Sequence, residues 1–318
     1  MNTDPESSTI GVTLPSIVVV ACTYQRNDPL RTLLTAVRVN ADLLAGIAQV
    51  GVVIVDDNVD QRARAVCDEF TDSFALGLHY CTSGLGNISI GRNIGLEAAL
   101  PISDWIAMTD DDCEPVDDWL ATYLTMQRQT GVDALTGPCL LEVPVDAPSW
   151  LTDQPFHEDG QFRWDDGATM TVAATNNSFF RSEFFRQRPK LRFEPELGIV
   201  GGEDMVFFRS AVRHGLTIRF AANAIVRGHE PAERQSFRYQ VRSKFWLGNT
   251  EFVTNRFLGE ASRGRWILRS LKLFVLAAVR PFQRLVTGKT PQWRYAYAQM
   301  ARALGVLTGS LGIRLRHH

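Results

Sequence analysis

The stretch Asp104-Trp105-Ile106-Ala107-Met108-Thr109-Asp110-Asp111-Asp112-Cys113-Glu114-Pro115 decides how the rest of the chain is read. Residues 105–109 are mostly apolar and few, which predicts a short buried strand. Three consecutive carboxylates then stand at its C-terminal edge. Adjacent like charges repel one another, and a fold tolerates them where a cation shares them. Mg²⁺ and Mn²⁺ prefer oxygen ligands and often bridge a carboxylate to a diphosphate. A solvated acidic turn capping a helix from about residue 117 would use the same residues, so the triplet alone leaves both readings open.

The flanking segments narrow the choice. Upstream, residues 16–22 (SIVVVAC) form a continuous β-branched apolar run, the mark of a strand buried on both faces. It ends in Thr23-Tyr24-Gln25-Arg26-Asn27-Asp28-Pro29, where Asp28 and Pro29 open a helix with Leu30, Leu33, Leu34 and Val37 on one face. Residues 50–55 predict a second buried strand, ending in Asp56-Asp57-Asn58. A helix over roughly 60–70, a strand at 76–81, a turn at 84–87 and a helix over 91–100 follow. Downstream, a helix over about 116–129 leads to a strand at 134–137. Residues 144–170, rich in Pro, Asp, Trp and Gly, read as a long flexible loop, often a functional lid. Residues 171–180 (TVAATNNSFF) return to strand character, and Ser182 suits the cap of a short helix through 187. In Gly198-Ile199-Val200-Gly201-Gly202-Glu203-Asp204 the two carboxylates open a helix over 204–214. The helix dipole favours them there, while the glycines allow a ligand close to the backbone. Residues 224–227 read as a short edge-like strand before Gly228-His229-Glu230-Pro231.

Strand and helix alternate at short spacing, which implies an α/β fold with a mostly parallel, Rossmann-like sheet and helices on both faces. Ligands of such sheets bind beyond the carboxyl ends of the strands. Three strands here end in polar clusters, at 23–26, 56–57 and 110–112, and the three converge on one rim.

Composition sets the outer bounds. The 318 residues, 45% apolar and 21% charged, suit a globular protein with an ample core. No signal-peptide pattern and no apolar run of about 18 residues is present, so neither a leader nor a spanning helix is predicted. Five scattered cysteines (22, 67, 81, 113, 139) without Cys-x-x-Cys spacing fit a reducing compartment and argue against a zinc site. The net charge of −2 conceals an asymmetry. Residues 261–318 hold eleven Lys/Arg and no Asp or Glu, which leaves 22 basic against 35 acidic residues in the first 260. Helices over 233–257, about 266–279 and 291–311 make this region helical and basic. It suits an amphipathic surface lying on an anionic membrane, or a helical subdomain packed on the sheet with its arginines solvated. No nucleic-acid motif accompanies the charge.

Taken together, Cys22-Thr23-Tyr24-Gln25-Arg26, Val55-Asp56-Asp57-Asn58, Gly91-Arg92-Asn93-Ile94-Gly95, Thr109-Asp110-Asp111-Asp112, Gly202-Glu203-Asp204 and Gly228-His229 resemble, in order and spacing, glycosyltransferase family 2, the inverting nucleotide-sugar transferases of the GT-A fold. The resemblance covers about residues 16–250, and the nearest look-alikes build bacterial exopolysaccharide or other cell-surface glycans. The polar residues 1–14 read as a disordered terminus, the resemblance implies a GT-A domain over 15–232, and residues 233–318 read as a basic amphipathic helical C-terminal region.

The resemblance also implies roles. Thr23, Tyr24 and Arg26 would hold the nucleotide base and ribose. Asp57, with Asp56 beside it, would accept a hydrogen bond from a uracil-like ring N–H. Arg92 would lie near base and diphosphate. Asp110, Asp111 and Asp112 would hold a divalent metal (Mg²⁺ or Mn²⁺) and the donor, with two alignments leaving Asp111 or Asp112 as the ligand, and His229 would complete the site. Asp204 would be the general base, with Glu203 adjacent. The implied reaction moves a sugar from a nucleotide-diphospho-sugar, UDP-linked by the Asp57 pattern, to a hydroxyl of a glycan or lipid-linked acceptor. The implied location is cytoplasmic, peripheral on the inner face of the plasma membrane. Three alternatives fit less well. A nucleotidyltransferase needs a Gly-rich, Lys/Arg-bearing first loop, which residues 23–26 do not match. An NAD-binding oxidoreductase needs a third glycine after Gly84-x-Gly86 and a helix opening there. A non-catalytic scaffold would not need Asp57, the Asp triplet and Asp204 together. Trp150, Trp164 and Trp246 are each a stacking surface for a sugar or a core residue.

Overall fold

The computed structural model describes residues 13–145, 147–156, 164–229 and 231–316. Most of the terminus expected to be disordered (1–12) lies outside the described residues, as do 146 and 157–163 of the expected long loop. In chain order the elements are β1 (Ser16–Thr23), α1 (Asn27–Leu43), β2 (Gln49–Asp56), α2 (Arg64–Asp68), β3 (Leu78–Thr82), α3 (Ile88–Ala99), β4 (Trp105–Thr109), β5 (Cys113–Pro115), α4 (Trp119–Thr130), β6 (Ala134–Thr136), β7 (Cys139–Glu142), α5 (Ser149–Thr152), β8 (Thr169–Met170), β9 (Asn177–Arg181), α6 (Ser182–Arg186), α7 (Glu203–Arg213), β10 (Ile218–Phe220), β11 (Val226–His229), α8 (Phe237–Phe257), α9 (Arg263–Val286) and α10 (Trp293–Ser310).

Eight strands form one sheet in the order β3-β2-β1-β4-β9-β6-β10-β8. β1 is parallel to β2 and β4, and β2 to β3. β9 runs antiparallel to both β4 and β6, so the far half of the sheet is mixed. Asn177 pairs with Thr109, so β9 starts at the rim where β4 ends and runs back down the sheet. The continuous apolar runs of β1 and β4 have a simple cause: alternate residues serve two cores. Ile17, Val19, Trp105 and Ala107 join the core shared with α1 and α4, whereas Val18, Val20, Ile106 and Met108 join the one under α3 and α7.

Several boundaries differ from the sequence reading, each for a local reason. The helix expected over 60–70 shortens to α2, because the Asp56 carboxylate accepts the Asn58 and Ala63 N–H groups and holds the intervening chain in a turn. α3 begins earlier than residue 91, capped by the Asn87 side chain on the Ile90 N–H. Residues 171–176 do not pair as a strand; the Asn177 N–H instead closes a turn on the Ala174 carbonyl. Ser182 does not cap α6, since its hydroxyl bonds Ser103. β11 is no edge strand but the centre of a second sheet, β5-β11-β7.

The C-terminal helices form a layer of their own. α10 packs against both α8 and α9. A side chain at Gly248 or Gly305 would run into the backbone of the opposing helix, so these glycines set how closely α8 and α10 approach. Glu251 of α8 accepts hydrogen bonds from Arg269 of α9 and Arg302 of α10. Among the described residues no helix is long and apolar enough to cross a membrane.

Candidate active site

The carboxyl ends of β2, β1 and β4 lie side by side, with Thr23 in register with Asp56. Beyond this rim opens a cavity of about 830 Å³. Its wall includes Thr23, Tyr24, Arg26, Asp57, Arg92, Asp110, Asp111, Asp112, Glu203, Asp204 and His229. Asp56 is not part of it. That carboxylate is buried and saturated by Asn58, Ala63 and the Tyr80 hydroxyl (2.7 Å), so it organises the turn after β2 instead of facing a ligand.

Asp57 points the other way. Its Oδ1 accepts from the Ser83 hydroxyl (2.7 Å) and the Leu85 and Gly86 N–H groups, and its Oδ2 from the Asn87 N–H (3.1 Å). It therefore shapes the 83–87 loop at one end of the cavity, and Oδ2 retains capacity for a second donor. Exposed Tyr24 stands at the same opening.

The Asp triplet divides its labour. Arg26, presented by a left-handed Gln25 (φ 55°), reaches Asp111 Oδ1 at 2.9 Å and Asp112 Oδ2 at 2.7 Å. Burial pushes the Asp111 carboxyl up to about 6, with Arg26 and then the neighbouring Thr23 hydroxyl opposing. Asp111 Oδ2 and the Thr23 hydroxyl are both buried without a well-formed hydrogen bond. Desolvation also raises the Asp110 carboxyl, against the pull of Arg92.

Asp110, Asp112 and Cys113 bring potential ligand atoms within 4.8 Å of one another. Two carboxylates there, beside a buried carboxylate oxygen still short of a donor, make a donor set that fits a hard divalent cation. His229 lines the cavity but lies nearest Glu114 (3.4 Å) and Glu142 (3.6 Å), outside that group.

Arg92 links the rim to α7. Side chains at Gly91 or Gly95 would meet Cys22, Val55 and Val20, so the two glycines let α3 settle onto β1 and β2. That close seat buries Arg92, which binds Glu203 and reaches Asp110 at 3.3 Å. Glu203 is thus paired and buried, while Asp204 faces the cavity, accepting the Met205 N–H at 2.6 Å. Burial first, then the Glu203 charge, push the Asp204 carboxyl up to about 6, with Arg92 opposing. A carboxylate poised near neutrality suits proton abstraction. Cys22 and Cys113 in the wall do not suit nucleophilic attack: burial raises Cys22 to about 12, and the hydrogen bond that the Cys113 S–H donates to Cys139, together with burial, raises Cys113.

The wall also carries Leu141, Asn176, Gly201, Arg234 and Trp246. Of the three tryptophans singled out in the sequence, only Trp246 reaches the cavity. Trp150 packs edge-to-face on Phe156 and Phe237, and Trp164 is exposed elsewhere. Asn177 is core: its Oδ1 accepts from Trp119 and Tyr123, and its Nδ2 donates to the Pro138 and Ala224 carbonyls. Arg234 had no sequence signal; it lines the cavity from a short 3₁₀ turn at Ala232–Gln235.

A mixed sheet with an acidic rim at the ends of its parallel strands, closed by helices, is the GT-A architecture of nucleotide-sugar transferases. Residues 18–215 match the model of glycosyl transferase family 2, and the chain belongs to that family. It is 30% identical over 248 residues to the succinoglycan biosynthesis protein ExoM of Rhizobium meliloti, covering 78% of this chain and 77% of the relative. The fold is similar to that of the mannosyltransferase PcManGT from Pyrobaculum calidifontis, solved with GDP-Man and Mn²⁺ (TM-score 0.60, 15% identity, 94% and 88% of the two chains). It is also similar to residues 1–349 of S. aureus TarS in complex with UDP-GlcNAc (TM-score 0.54, 13% identity, 93% and 92%).

Proposed function

We propose that this glycosyltransferase is inverting, takes its sugar from a nucleoside diphosphate, UDP in particular, and passes it to a hydroxyl of a glycan or lipid-linked acceptor in cell-surface polysaccharide synthesis. The observation that carries this reading is the meeting of Asp57, Asp110, Asp111, Asp112 and Asp204 around one cavity of about 830 Å³. Those residues follow the ends of β2 and β4 or stand in the first turn of α7, so nothing in chain proximity requires them to meet.

The nucleotide lies at the Tyr24 and Asp57 end. Asp110, Asp111 and Asp112 would hold a divalent cation, with His229 at the margin of that site. When bound, such a cation neutralises charge gathering on a departing diphosphate. Arg26 and Arg92 add fixed positive charge on either side. Asp204 accepts the proton of the acceptor hydroxyl as its oxygen attacks the anomeric carbon, and the nucleoside diphosphate leaves from the opposite face. Glu203 and Arg92 hold the first turn of α7 so that Asp204 faces the cavity. Support for the donor comes from the UDP-GlcNAc complex of TarS, for the metal from the Mn²⁺ of PcManGT, and for the pathway from the naming of ExoM. Lipid-linked acceptors place the enzyme on the cytoplasmic side of the membrane, with peripheral contact through residues 261–318.

A thermal-shift panel of UDP- and GDP-sugars with Mn²⁺, Mg²⁺ or EDTA, followed by donor hydrolysis assays, tests the reading. UDP-sugars should stabilise the protein only with metal, and hydrolysis should follow the same order. Stabilisation by no nucleotide sugar, or hydrolysis unchanged in EDTA, would refute the donor or the metal assignment respectively.

A further inference from the structure

α9 shows two opposed apolar faces. The inner one is used: Trp266, Ser270, Ala277 and Pro281 are buried, Trp266 stands edge-on to Phe252, and the Ser270 hydroxyl donates to the Ala303 carbonyl at 2.7 Å. On the other side Leu268, Leu271, Val275, Val279, Phe282 and Val286 recur every three or four residues and form a single stripe. All six are exposed, from 42% at Val279 to 88% at Val286. At its end Phe282 meets Trp293 edge-to-face at 5.1 Å, and both rings face solvent. A continuous apolar strip of this kind marks an interaction surface.

The charges around the stripe say what covers it. Arg265, Lys272 and Arg280 are exposed on α9, and residues 261–318 contain eleven Lys/Arg without one carboxylate. A second copy docked through α9 would press two such cationic flanks together, which like-charge repulsion opposes. An anionic bilayer offers phosphates to the flanks and acyl chains to the stripe. Aromatic rings at the boundary suit the headgroup zone. We infer that the outer stripe of α9 lies in the surface of an anionic phospholipid bilayer, parallel to its plane, with the flanking Arg and Lys at the headgroups. This deepens the peripheral contact proposed above by naming the face that makes it, and does not depend on the sugar transferred.

The test is flotation of the full chain with vesicles of phosphatidylcholine alone or with 30 mol% phosphatidylglycerol. The protein should float with the anionic vesicles, more than about tenfold better than with neutral ones, and high salt should weaken the association. The triple variant Leu271→Asp/Val275→Asp/Phe282→Asp changes only exposed side chains. It should lose flotation at least about tenfold while keeping its far-UV circular dichroism, its Tm and its donor binding. Failure of the parent protein to float overturns the inference, as does flotation undiminished in the triple variant. So does a parent dimer that the triple variant converts to monomer without vesicle binding, because the stripe would then belong to a second copy. Donor binding is read separately, so failure here is distinguishable from failure of the proposed reaction.

Discussion

At the scale of single residues, Asp204 is the sharpest case. Its carboxyl is raised to about 6 by burial and by the Glu203 charge, with Arg92 opposing. As a base it works deprotonated, so kcat/KM should rise as pH passes through about 6 and then level off. Glu203→Gln removes a charge that disfavours ionisation, so the acid limb should move to lower pH in a pH–rate profile. Stability runs the other way. A raised carboxyl favours the native state fully below its unfolded value near 3.8, and that contribution disappears as pH rises through about 6. Asp204→Asn should therefore lose turnover by roughly 10²–10⁴-fold, yet keep or raise Tm at pH 7.5, by about 2 °C at most. A drop in Tm with intact turnover would mean that Asp204 is a structural cap. Asn177 sits at the opposite pole. Asn177→Ala would strand the Trp119 and Tyr123 donors and two carbonyls, at a cost of about 3 kcal/mol or more, measured by chemical denaturation. The sequence marked Asn177 as polar in an apolar run, but its four partners lie on three other segments, and nothing local announces them.

At the scale of elements, the entrance to α7 decides where the base sits. Gly201 (φ 91°) and Gly202 (φ 83°) adopt left-handed backbone that other residues resist. A side chain at Gly201 would strike Trp246, and one at Gly202 would strike Thr254 and Thr250 of α8. Gly202→Ala should cost about 2–4 kcal/mol in urea denaturation and also lower kcat, because α8 and the first turn of α7 must part. Loss of stability with unchanged kcat would detach the two effects. The same physics explains which elements were legible. β1 and β4 are buried on both faces, so each reads as an unbroken apolar run. β5, β7 and β10 hold three or four residues, too few to show a period, and they exist because neighbouring strands complete them.

At the scale of the molecule, the C-terminal region is bound to the fold and not appended to it. α10 packs on α8, and α8 contributes Trp246 to the cavity and Thr250 and Thr254 to the seat of Gly202. Deletion of 261–318 should therefore lower Tm and donor affinity together, read by differential scanning fluorimetry with and without UDP. A truncated protein with native Tm and full donor binding would show the helices to be dispensable.

The sequence by itself determined the parallel core of the sheet, the polar ends of its strands and the excess of positive charge at the C-terminus. Those features are written in runs of neighbouring residues, where apolar period and charge are local. Only the tertiary structure decided that Asp56 turns inward while Asp57 faces the cavity, that Arg92 bridges Glu203 and Asp110, and that one stripe of α9 is left uncovered. Each depends on which residues meet across long stretches of chain, and burial and pairing of that kind arise from packing, not from spacing.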